Sequence, residues 1–277
     1  MRGYALLLFF STVLFFPAVA AAAGISVDAG LTPAQDRWIL RTQVRYMSRG
    51  DKNSTEVQQL VFPVVLAYGV RSSVTIVARQ VLIRRERTVL GNSSTKSGFG
   101  DTYVFAKIKA YRSNSPRLTF GVAPTLGIEF PTGQSGFSSN TWDLRAGLYA
   151  SARTGTWSSD ANVAYQWNDV VSDASATPGD ELSIDAAVAY QFILDGVGLV
   201  TASPVLEMSY LKVWPVRNAG EEVPHTGESV LYLSPGAKLS TSWIIAEGLV
   251  RIPVHDDLAG NQLERNVQTL LGVRILF

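Results

Sequence analysis

The chain ends in QTLLGVRILF, residues 268–277. Counted back by twos from Phe277, Ile275, Val273, Leu271 and Thr269 fall on one face, with Leu276, Arg274, Gly272, Leu270 and Gln268 between them. A period of two belongs to a β-strand, whose successive side chains point to opposite faces. A strand that is apolar on one face and closes on an aromatic carboxyl terminus is how bacterial outer-membrane β-barrels finish. The assembly machinery of that membrane reads such a strand, so Phe277 is expected to act as an address as well as a structural end.

The other end of the chain agrees. Arg2 supplies a short positive region, Leu6 to Phe16 a continuous apolar one, and Ala18-Val19-Ala20 or Ala21-Ala22-Ala23 a small-residue cleavage site. That is the layout of a secretory leader, here residues 1–23, with cleavage expected between 20 and 23. The apolar run is too short to span a bilayer, and Pro17 follows it. The chain contains 0 Cys, which removes lipid anchoring through a cysteine, disulfides, thiolate metal sites and cysteine nucleophiles together.

Composition alone does not separate a barrel from a secreted sandwich. Hydrophobic residues make up 47%, charged residues 17%, and the net charge is +1, so no basic surplus points to nucleic acid. After Phe16 no run of about 18 apolar residues could form a membrane helix. Barrel strands alternate apolar-out and polar-in and average to such ordinary figures.

Periodicity separates the two. Val104, Ala106 and Ile108 oppose Asp101, Lys107 and Lys109; Leu126, Ile128 and Phe130 oppose Thr125 and Glu129. Leu144, Leu148 and Ala150 oppose Asp143, Arg145 and Arg153, while Val163 and Tyr165 oppose Asp160 and Asn162. Ile184, Val188 and Tyr190 oppose Glu181 and Asp185. These runs outlast the ~5–6 residues of soluble strands and fit the ~9–11 of a tilted membrane-crossing strand. The connections alternate in length. Ser48–Glu56, Arg84–Ser97, Thr132–Asn140, Asn168–Gly179, Val213–Gly227 and Pro253–Asn266 read as long links, and short ones lie between them. One rim with loops and one with tight turns is barrel architecture. The expected fold is an all-β, antiparallel, up-and-down transmembrane barrel of about twelve strands over residues 38–277. A short periplasmic segment, 24–37, precedes it, and both termini lie at the turn rim.

Trp38, Trp142, Trp157, Trp167 and Trp243 fall at expected strand ends, where aromatic girdles meet membrane interfaces. Pro63, Pro124, Pro204 and Pro235 fall inside strands. Each removes a ladder donor, so bulges or kinks are expected there. The Gln80–Glu86 stretch carries charge on both faces and is expected to protrude in part beyond the bilayer.

Gly98-Phe99-Gly100-Asp101 opens one amphipathic strand, and Phe130-Pro131-Thr132-Gly133 closes the next. This Gly-x-Gly-Asp start and Pro-Thr-Gly end resemble the outer-membrane family named for the meta-pathway of phenol degradation, with looser similarity from Arg37 onward. The resemblance implies a barrel that passes aromatic or other hydrophobic compounds, related in architecture to long-chain fatty-acid transporters. Gly24 to Asp36 is short beside the large plug of those transporters. Read without the resemblance, the motif residues suit loop-to-strand bends, with Asp101 bonding backbone amides.

Catalytic readings fail for want of a constellation. His225 and His255 both fall in long links, and neither His255-Asp256-Asp257 nor a serine–histidine pairing comes with a nucleophile motif. No catalytic residue, cofactor or metal is expected. The expected function is an outer-membrane channel for passive uptake of small, hydrophobic or aromatic compounds through a narrow lumen, since twelve strands lie between the filled interior of ~8 and the water channel of ~16–18. A non-transport barrel, either a surface-interaction protein or a hydrolase sited at the rim, is the alternative. Candidate lumen residues are Tyr103, Phe105, Lys107, Arg145, Tyr149, Asp160 and Asp185. Inward charges of both signs balance, which argues against a single-sign selectivity ring, and Arg145 is expected to pair with Asp160. Leu148, Val163 and Ile184 are expected to face lipid. Expected partners are outer-membrane lipid and lipopolysaccharide, the barrel-assembly machinery through Phe277, and a small-molecule solute, with the barrel a monomer.

Overall fold

The computed structural model describes residues 22–50, 55–171, 176–197, 199–260 and 262–277. The expected leader, apart from its last two residues, lies outside them. Twelve antiparallel wall strands follow in chain order: β1 Trp38–Gly50, β2 Thr55–Arg71, β3 Val74–Val89, β4 in three pieces (Asn92–Phe99, Thr102–Ile108, Tyr111–Asn114), β5 Thr119–Phe130 and β6 Asp143–Thr154. They continue with β7 Trp157–Trp167, β8 Glu181–Tyr190, β9 Thr201–Val213, β10 Glu228–Ser240, β11 Ile244–Leu258 and β12 Gln268–Leu276. Each pairs with its sequence neighbours, and β12 pairs with β1 to close the ring. The seam is tied by its outermost residues. Trp38 N–H donates to Phe277 O at 2.7 Å, and Phe277 N–H donates back to Trp38 O at 3.1 Å.

Alternation places the residues as the sequence pattern requires. Leu126, Leu148, Val163, Ile184 and Leu271 stand exposed on the outer face. Their neighbours Thr125, Tyr149, Asn162 and Leu270 are buried inside. An apolar outer face of this extent is what a soluble protein does not present and a bilayer covers. At the turn rim Trp38 stacks on Tyr68 with centroids 4.3 Å apart, and Trp157 meets Tyr190 at 5.0 Å. At the loop rim Phe130 meets Trp142 at 5.2 Å and Tyr165 meets Trp167 at 4.8 Å.

Two expectations about the wall are corrected. The Arg84–Ser97 link is not a loop: β3 runs on to Val89 and β4 starts at Asn92, joined by the two-residue turn Leu90-Gly91. Both turn residues have positive φ, 49° and 83°, the twist that suits a two-residue hairpin. Residues 89–97 of this hairpin are exposed on both faces, so the alternation that marks a half-buried strand is lost there. Pro253–Asn266 is likewise shortened, because β11 stays paired to β10 as far as Leu258.

The prolines behave differently from the expected bulges. Each faces a gap in the ladder on one side and stays paired on the other. Pro63 is paired to Val81 while the β1–β2 ladder skips from Thr42↔Val64 to Arg45↔Val61. Pro235 is paired to Leu206 while β10–β11 skips from Leu233↔Ile252 to Gly236↔Leu249. Pro204 faces the break between Tyr190 and Phe192. The register is unshifted across these three gaps, since a missing N–H costs one side of the ladder without requiring an extra residue. Only Pro124 meets a one-residue slip, between Lys107↔Thr125 and Tyr111↔Val122, where β4 breaks.

Candidate functional site

The interior is built on one row that crosses six strands. Gly121, Ser151, Asp160, Ala187, Glu207 and Ser234 lie opposite one another in register from β5 to β10, all on the inward face. Small residues alternate with two carboxylates, leaving a trough with hydrogen-bond acceptors along it.

Residues 22–36 occupy that trough. The sequence reading put this segment in the periplasm, short of forming a plug; the structure folds it back into the barrel. The chain turns at the rim, where Asp36 N–H donates to Gly69 O at 2.8 Å and Tyr68 donates to Asp36 Oδ1 at 2.8 Å. Ala23, Ile25, Val27 and Leu31 are then buried, the first three packed with Ala187, Ala189, Val205, Leu249 and Leu270. Leu31 packs over Gly121, where a Cβ would come within 2.6 Å of Leu31 Cδ2 and push that side chain aside.

A backbone without regular structure inside a barrel must find partners in the wall, and here charged side chains supply them. Glu207 accepts the Ile25 N–H and, at 3.0 Å, the Ser26 N–H, and takes the Ser26 hydroxyl as well. Asp160 accepts the Ala23 N–H at 2.6 Å. Ser151 Oγ accepts the Gly30 N–H at 2.7 Å. Cations take the carbonyls: Lys107 donates to Ala29 O at 2.6 Å, Arg274 to Gly24 O at 2.8 Å, and Lys238 to Ala23 O at 2.6 Å. Glu247 holds Arg274 in place. Arg274 and Arg41 pair with Glu247 at 2.7 and 3.1 Å, and Gln43 donates to the same carboxylate at 2.8 Å.

Next to the plug, toward the loop rim, lies an aromatic cluster. Tyr103, Phe105 and Tyr149 are buried with Val77, against Val65 and Ala67. Tyr103 and Phe105 stack with centroids 5.2 Å apart. Arg79 sits 5.0 Å over the Tyr103 ring and Lys107 5.4 Å from the Tyr149 ring, both in cation–π range. All seven candidate lumen residues therefore point inward, but they divide. Tyr103, Phe105 and Tyr149 share one cluster, whereas Lys107 and Asp160 hold the plug. Arg145 binds Ser183 Oγ at 2.7 Å and Gln166 at 3.3 Å, and Asp185 lies opposite Ser209.

The expected Arg145–Asp160 pair does not form. Arg145 lies opposite Gln166, while Asp160 lies opposite Ser151, six residues further along β6. Asp160 pairs instead with Arg153 at 2.7 Å. Sequence reasoning also passed over Glu207, Glu247, Lys238, Arg274 and Gln43 as plug holders. The signal was present as inward charges crowded toward the turn rim, beside Gly and Ser positions too small to fill the barrel.

The two halves of the Gly-x-Gly-Asp and Pro-Thr-Gly pattern meet at the loop rim. Asp101 accepts the Gly133 N–H at 2.8 Å on one oxygen and the Ser139 N–H at 2.7 Å on the other. Thr132 Oγ1 accepts the Thr102 N–H at 3.1 Å. The motif thus fastens the 131–142 loop to the start of the middle piece of β4. His255 and Asp256 line a separate rim hollow of about 500 Å³ together with Gln262, Glu264 and Arg265.

Comparison with solved structures supports the architecture. An outer membrane channel from Pseudomonas putida F1 is similar with a TM-score of 0.71 at 14% identity, covering 91% of this chain and 100% of that one. The beta domain of the Bordetella autotransporter BrkA gives a TM-score of 0.50 at 12% identity, covering 88% and 100%. At these identities the likeness is one of fold. A search of curated proteins gives no match. The family described as putative MetA-pathway of phenol degradation matches residues 42–202, from β1 into β9. More than half of the sequence lies in that match, and the chain belongs to this family.

Proposed function

We propose that the protein is an outer-membrane channel for small hydrophobic or aromatic compounds, exported by its leader, assembled through recognition of the strand that ends in Phe277, and working as a monomer surrounded by outer-membrane lipid and lipopolysaccharide. The observation that carries this reading is the Tyr103–Phe105–Tyr149 cluster, aromatic side chains directed into the barrel and packed on one another beside the plug. A solute entering from the loop rim would meet those rings before it meets the plug. Aromatic side chains offer large, rigid apolar area to a planar or aliphatic solute. The similarity to a solved outer membrane channel supports passage rather than catalysis. With charges of both signs tied in pairs, weak ion selectivity is expected.

Liposome uptake tests this. Phe105→Ala and Tyr149→Ala should change entry of a neutral aromatic solute several-fold and that of a sugar of similar size much less. Equal changes for both solutes, or a large conductance with strong selectivity for one sign of ion, would point to a general charged pore instead.

A further inference from the structure

A buried charged contact falls on the plug's first residues. Ala23 is 0% exposed. Its N–H meets Asp160 Oδ2 at 2.6 Å, and the Gly24 N–H reaches the same oxygen at 3.3 Å. The other oxygen of Asp160 is fixed by Ser151 Oγ at 2.6 Å and Arg153 at 2.7 Å. Across the residue, Lys238 donates to the carbonyls of Ala22 and Ala23. Ala23 therefore has a carboxylate at its nitrogen and an ammonium at its carbonyl. Glu207 adds a second negative charge two strands away, with Ala187 of the strand between lying opposite both carboxylates.

A rigidly held carboxylate at this point is better matched to a charged amine than to a peptide N–H, because bonds between ionised partners are the shorter and stronger kind. The sequence upstream offers a way to make one. Ala20 and Ala22 place small residues third and first before the Ala22–Ala23 bond, at the end of the leader-like run.

We propose that Asp160 is the receptor for the α-ammonium of Ala23, formed when a leader peptidase hydrolyses the Ala22–Ala23 bond during export. Water adds to the Ala22 carbonyl carbon and the C–N bond breaks. Ala22 keeps the water oxygen and departs with the leader as a carboxylate, while the two water protons pass to the Ala23 nitrogen, which with its own proton becomes an ammonium. Lys238 gives up the Ala22 carbonyl and retains that of Ala23. The plug is then seated by an ion pair that exists only after processing, so an unprocessed chain lacks the contact that anchors its first residue. This inference is independent of which solute the barrel passes.

Intact-mass measurement and amino-terminal sequencing of the full-length protein, purified from outer membranes, should give a mature chain that begins at Ala23. A chain that begins at Ala21 or Gly24, or that retains its leader, overturns the proposal. In the folded protein, the pH dependence of reductive methylation should place the α-amine above its ordinary pKa of about 7.7–8.0. An ordinary or lowered value also overturns it. Asp160→Asn, checked for folding by heat-modifiable migration, should raise the methylation rate of the α-amine several-fold at neutral pH. An unchanged rate in a folded variant counts against the ion pair, and the wild-type titration decides the matter if the variant does not fold.

Discussion

The turn-side and loop-side halves of the lumen come from the same alternating strands but use their charges differently. Toward the turn rim, Asp160, Glu207, Lys107, Lys238 and Arg274 all bond to the backbone of residues 22–29. Toward the loop rim the charges meet other side chains. Arg79 pairs with Glu129 at 3.2 Å, Arg265 with Glu228, and Arg251 lies 4.2 Å over the ring of Tyr232. A wall that binds backbone forms a socket for one particular segment. A wall whose groups bond to each other presents a surface that a passing solute can share without displacing anything. The comparison puts the segment that fills the lumen in one half and the side-chain pairs in the other.

The most direct way to break this division is to remove the filling. Deletion of residues 24–35 should leave an assembled barrel and raise single-channel conductance several-fold in planar bilayers. Unchanged conductance would move the narrowest point to the loop side. Next in size is the contrast between wall and contents. Leu148→Arg places a cation on the apolar outer face and should cost about 2–4 kcal/mol of unfolding free energy in lipid vesicles. Asp185→Arg on the inner face should cost clearly less and act on permeation. Equal costs would mean that the facing is wrong.

Glu207→Gln sharpens the comparison inside the socket. Making its bonds to Ile25 and Ser26 neutral should weaken plug docking by roughly 1–2 kcal/mol, read as faster amide exchange at Ile25 and Ser26 with barrel melting unchanged. A fall in barrel stability of the same size would show that the plug holds the wall together and does not merely fill it. The smallest effect is expected beyond the loop rim. Gly91→Ala forces a Cβ into a left-handed turn and should cost about 1 kcal/mol, confined to the 83–99 hairpin and visible there by local exchange. A change in conductance would show that the hairpin reaches the lumen.

How legible each part was follows from its surroundings. The wall strands could be read because one face meets apolar surroundings and the other does not, which writes a period of two into Leu144–Ala150 or Ile184–Tyr190. The 83–99 hairpin lacks that contrast, with water on both faces, and its Leu90-Gly91 turn lacks the Asn-Gly or Asp-Gly signature. It therefore read as a loop. The plug was illegible for another reason. It alternates, with Ala23, Ile25, Val27, Ala29 and Leu31 against Gly24, Ser26, Asp28, Gly30 and Thr32, but the run is interrupted by glycines and belongs to none of the wall strands. Its partners Asp160 and Lys107 look, in sequence, the same as any polar residue lining a pore. Arg145 and Asp160 were set together because both point inward on adjacent strands, whereas contact also demands register, which pairing alone reveals.

The reciprocal bonds between Trp38 and Phe277 carry a kinetic consequence. They join residues at the two ends of the barrel's sequence, so ring closure is the pairing with the greatest separation along the chain and the largest loop entropy to overcome. No shorter chain can make it, and an incomplete polypeptide is left with two open sheet edges. The segment that fills the socket departs from the same rim where the seam ends, immediately before Trp38. It can enter or leave through the mouth of a closed ring, and no strand pair need open to let it through.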